Sequence, residues 1–149
     1  MIEAIVPHEV ASHMDASRRQ VWLRAALVFG VVYFLIGRLF PQPADHVRIW
    51  RLAAWVVSGI VYAVHIGYEH FRLRNAPRTT ALHVAVAVAI GGFGLALAGM
   101  IRSSSSASTI RPVWLLALVA WPALTAIPAF LGAFAAAAIL RRFSKVDAG

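Results

Sequence analysis

Residues 79–101 run for 23 positions and residues 112–140 for 29 positions without one charged side chain. Crossing the roughly 30 Å hydrocarbon core of a bilayer takes about 20 mainly apolar residues, so both runs are long enough. Two further segments qualify. The first covers residues 20–40, with an uncharged centre at 25–37 between Arg24 and Arg38. The second covers residues 49–71 and is uncharged from 52 to 68. A backbone in hydrocarbon must satisfy its own N–H and C=O groups, which makes each isolated run a helix, including the strand-like Val/Ala alternation of residues 84–89.

The rest of the composition agrees. Hydrophobic residues make up 60% of the chain and charged residues 13%, against about 45–50% and 25% in soluble domains. The chain has no cysteine, which excludes disulfides, zinc fingers, thiol catalysis and thioether-linked haem. The expected fold is an all-α integral membrane protein with four transmembrane helices at about 20–40, 49–71, 79–101 and 112–140. A short N-terminal segment, 1–19, precedes them, and Asp15 or Ser17 is placed to cap the first helix. That segment lacks the basic start of a signal peptide. The connections at 41–46, 73–78 and 102–111 are too short for a soluble domain, so sequential helices should run up-down-up-down. The fourth run is longer than a bilayer requires, and Pro122 and Pro128 make it the helix expected to kink.

The formal net charge of +8 belongs to the loops. Arg18, Arg19, Arg24, Arg72, Arg74, Arg78, Arg141, Arg142 and Lys145 fall on one side, and Arg38, Arg48, Arg51, Arg102 and Arg111 on the other. Nine against five puts the first side, with both termini, in the cytoplasm, and no nucleic-acid role is needed to explain the charge. The compact, Ala- and Arg-rich chain is assigned to a bacterial inner membrane. Trp22, Trp50 and Trp114 stand near helix ends, where indoles anchor.

The second helix is the informative one. Arg51, Trp55, Ser58, Tyr62, His65, Glu69 and Arg72 recur at alternating steps of four and three, a seam down one face. Polar groups on that seam are costly against lipid, so it should face protein or a wet cavity. On the third helix Thr80, His83, Ala87, Gly91, Gly94 and Ala98 form a small-residue face that suits close approach. A tight hairpin between the two helices sets Glu69 level with His83. Ser58, Tyr62, His65, Glu69 and His83 are therefore the expected polar cluster. Gly30 and Gly37, seven apart, mark a packing face on the first helix.

Three functions fit this cluster. In the first it fixes helix register in a non-enzymatic accessory or scaffold subunit, whose partners are the lipid bilayer and a larger membrane complex or a second copy. In the second, His83 pairs with His65 or His70 as axial ligands of haem b. In the third, Glu69 and His65 begin a proton or cation path. His8, Glu9 and His13 make a poor metal site, and Gly91-Gly92-Phe93-Gly94 lacks the strand and the Lys-Ser/Thr of a phosphate loop. No catalytic residue and no metal ligand is assigned.

Overall fold

Proline opens two of the four helices, at the first-turn position where its missing N–H costs nothing. The computed structural model describes the backbone of residues 6–40, 44–104 and 112–146, and side chains within 19–40, 45–103 and 113–143. Helix α1 spans Val6–Leu39. A single 3-10 turn, Ala44–His46, leads into α2, Val47–Gly67, which continues as a π-helical turn over Tyr68–Arg72. Helix α3 spans Pro77–Ser104 and α4 spans Pro112–Val146. Each holds a stretch long and apolar enough to cross a membrane: Arg19–Leu39, Val47–Arg72, Pro77–Ser103 and Val113–Phe143. The protein is thus an all-α bundle with four membrane-crossing helices.

Two boundaries differ from expectation. Helix α1 starts at Val6 rather than near residue 20, so Asp15 and Ser17 lie inside it rather than at its N-terminal boundary. The reason is local: residues 8–19 contain neither Gly nor Pro, and Pro7 sits in the first turn, where it is tolerated. Helix α4 extends six residues past Leu140, and both Pro122 and Pro128 lie within it. Near the first proline, the Thr125 hydroxyl donates to the carbonyls of Trp121 and Pro122, each at 3.0 Å.

Helix α3 is the axis of the bundle. It packs along α1 on one side and α4 on the other, while α2 touches the others more sparsely. The buried apolar residues are mainly its small ones, including Ala81, Val84 and Ala87, joined by Ala133 and Ala137 of α4. Helices α1 and α3 run parallel and approach at glycine. A methyl group at Gly91 would stand 2.7 Å from Tyr33 Cβ and 3.1 Å from the Gly30 carbonyl oxygen, and one at Gly30 would stand 2.7 Å from Ile90 Cγ2. Gly37 meets Leu95 in the same way.

The small-residue face of α3 was expected against α2, and its glycines are found against α1. The physical reason is on the partner helices. Gly30 and Gly37 give α1 a small face of its own, which lets two backbones close together. The α2 seam instead carries the bulky Tyr62, whose hydroxyl reaches across to the Ala129 carbonyl of α4. The expected packing role of Gly30 and Gly37 is observed, with α3 as the partner.

Candidate functional site

The seam of α2 divides into two halves. Toward the end that leads into the π-helical turn, His65 and Glu69 are fully buried. Toward the other end, Arg51 and Trp55 are exposed, Trp55 by 77%. Ser58 and Tyr62 lie between and line a cavity. The expected five-residue cluster therefore reduces to three residues. Tyr62 turns to α4 instead and donates its hydroxyl proton to the Ala129 carbonyl at 2.5 Å.

The core of the site is Glu69. Its Oε2 lies 2.9 Å from His83 Nδ1 on α3 and accepts a 2.6 Å hydrogen bond from Asn75 Nδ2. Its Oε1 lies 3.9 Å from His65 Nε2, one helical turn earlier. Both imidazoles are braced by α1. His83 stacks on Trp22 with ring centroids 4.6 Å apart, and His65 stacks on Phe29 at 3.9 Å, each pair 7° from parallel. The carboxylate thus has a histidine on each side, and each histidine has an aromatic wall behind it.

The chain end of α2 holds Glu69 in place. The Leu73 N–H reaches the Tyr68 carbonyl, and the Asn75 N–H reaches the Glu69 carbonyl, each at 3.2 Å. Wrapping the chain this way puts Arg74 in the left-handed region with φ of 51°, an uncommon state for a residue with a Cβ. Asn75 then bonds Glu69 twice, once through its backbone and once through its side chain. Helical π turns of this kind recur at functional sites.

A buried carboxylate without a cation is costly. Glu69 has no lysine or arginine partner among the described residues; its ion-pair contacts are the two histidines. One proton between Oε2 and His83 Nδ1 makes that contact a hydrogen bond, whichever atom carries it. Glu69 Oε1, both ring nitrogens of His65 and the hydroxyl of Thr80 are buried without a hydrogen-bond partner among the described residues. The arrangement can therefore bind α2 to α3, and it can hold a proton.

The haem geometry is not met. Axial ligation needs two imidazole nitrogens facing each other across an open, flat slot. Here the Glu69 carboxylate stands between His83 and His65, and both rings lie flat against α1. His70 is half-buried and edge-on to Phe71 at 4.9 Å, outside the cluster. The side chains of His8, Glu9 and His13 lie outside the described residues. Among the described residues no group of three His, Cys, Asp or Glu is arranged to hold a metal ion.

Sequence reasoning placed Glu69 beside His83 but missed Trp22, Phe29 and Asn75. The seven-residue spacing of Trp22 and Phe29, matching that of Gly30 and Gly37, was the available signal. Comparison with protein-family models, curated proteins and solved structures gave no match.

Proposed function

We propose that this chain is a non-enzymatic accessory or scaffold subunit of a membrane complex, set in a bacterial inner membrane with both termini cytoplasmic. The observation that carries this reading is the closure of its polar cluster. Glu69 and His65 are 0% exposed and His83 is 8% exposed. The Tyr62–Ala129 bond lies between that cluster and the cavity on the other half of α2. Buried in this way, the cluster acts as a clamp that fastens α2 to a bundle it otherwise touches sparsely. The hydroxyls of Ser103 and Thr125 donate to backbone carbonyls rather than to a base. What α2 offers outward is an apolar strip, with Leu52, Val56 and Ile60 each 55–66% exposed, facing lipid or a neighbouring protein.

The test is a photo-crosslinking residue at Val56 or Ile60 in native membranes. A discrete polypeptide adduct supports the scaffold reading, whereas adducts to lipid alone refute it.

A second reading, a proton site, is favoured by Glu69 Oε1 and the His65 nitrogens, which are buried without a hydrogen bond among the described residues. Proteoliposomes under a proton gradient distinguish the two. Flux that Glu69→Gln abolishes supports the proton path, and no flux in the wild type removes it.

A further inference from the structure

We propose that the cavity between α2 and the rest of the bundle is a lipid site, taking one anionic phospholipid with an acyl chain along the groove and its phosphate against Arg51. This inference is independent of the scaffold reading.

The cavity has a volume of about 900 Å³ and is lined by residues of all four helices. That volume lies in the range of small-ligand sites, about 300–1,000 Å³. Its length points to a lipid. From Arg51 to Tyr62, at 1.5 Å per residue, the α2 wall is about 17 Å long. One leaflet occupies half of the roughly 30 Å core, so the groove is about as deep as a single leaflet.

The two ends differ as the two ends of a lipid do. At the mouth, Arg51 lies in the first turns of α2, with Trp50 packed against Phe40 at 6.1 Å. Indole rings favour that headgroup level. Arg51 forms no salt bridge among the described residues. Arg48 stands three residues earlier, on the same side of the helix, and the one nearby acid, Asp45, is in the preceding turn. Two exposed cations beside an apolar slot suit an anionic headgroup. At the deep end, Tyr33 and Tyr62 close the floor, the latter tied to Ala129. The walls between them are mainly apolar and partly glycine, with Ser58 and Thr125 among them. Gly59 is one of the lining residues, and a Cβ there meets nothing within 4 Å.

That open position supplies the test. Delipidated protein is reconstituted into vesicles of equal parts phosphatidylglycerol and phosphatidylcholine with the same acyl chains, then released for native mass spectrometry. The wild type is expected to retain one phosphatidylglycerol in preference to phosphatidylcholine. Arg51→Gln should reduce that preference about fivefold, the contribution of one arginine near an anionic surface. Gly59→Trp should lose both lipids while keeping the wild-type melting midpoint. Gly59→Leu should give a weaker version of the same loss. Retention by both Gly59 variants at the wild-type level, or an unchanged preference in Arg51→Gln, would overturn the proposal.

Discussion

Helices α1 and α2 both run beside α3, and they are attached to it by different chemistry. The α1 contact is made of absence: glycines at 30 and 91 remove side chains so that backbones meet. The α2 contact is made of presence: the Glu69 carboxylate meets the His83 imidazole of α3, with Asn75 and His65 beside the carboxylate. In lipid there is little hydrophobic drive to bring helices together, so dispersion at close range and interhelical hydrogen bonds are what remain. This bundle uses one on each side of its central helix. The close contact covers Gly30 to Gly37 of α1, whereas the polar contact is confined to one end of α2. That confinement leaves the other end of α2 standing off and creates the groove.

The largest effect should come from blocking the close contact. Gly91→Leu forces side-chain atoms onto Tyr33 and the Gly30 carbonyl, and a loss of about 3 kcal/mol is expected, the upper end for overpacking. Thermal unfolding in mild detergent measures it, with Gly59→Leu as the open-space control that should show no change. If the two variants melt alike, the α1–α3 interface is not as close as described.

Next comes the polar contact. Glu69→Ala leaves His83 and Asn75 without their buried partner, which costs about 2 kcal/mol. Glu69→Gln keeps an acceptor for Asn75 and should lose less. The double-mutant cycle of Glu69→Ala with His83→Ala should show a coupling of about 1 kcal/mol, and additive losses would show that the two side chains do not act together. The smallest effect is expected at Tyr62→Phe. It removes one hydroxyl bond to a backbone carbonyl, worth about 0.6 kcal/mol in a membrane bundle.

The crossing segments were legible in the sequence because a bilayer demands length and forbids charge, and both can be counted. The Glu69–His83 pairing was legible because a short loop fixes the register of a hairpin. The partner of the α3 small-residue face was not. Gly91 and Gly94 suit any close neighbour, and the choice of α1 depends on Gly30 standing beside Gly91 and on Phe34 and Gly37 meeting Gly94 and Leu95. Trp22 looked like an interfacial anchor, and only the fold shows its ring lying against His83. Pattern along one helix identifies a face, whereas the facing helix decides what that face is for. The groove was illegible for the same reason: it arises where α2 fails to close, and no single helix encodes a gap.

Helix α2 is shut against the bundle at one end and open at the other. The chain has no cysteine, so single cysteines report cleanly. Ile66 is 4% exposed and packs with Val84 and Ala133, whereas Gly59 borders open space. With Ile66→Cys and Gly59→Cys in membranes, a lipid-soluble thiol reagent should modify position 59 rapidly and leave position 66 largely unreacted. Equal rates at the two positions, or faster reaction at 66, would contradict the account.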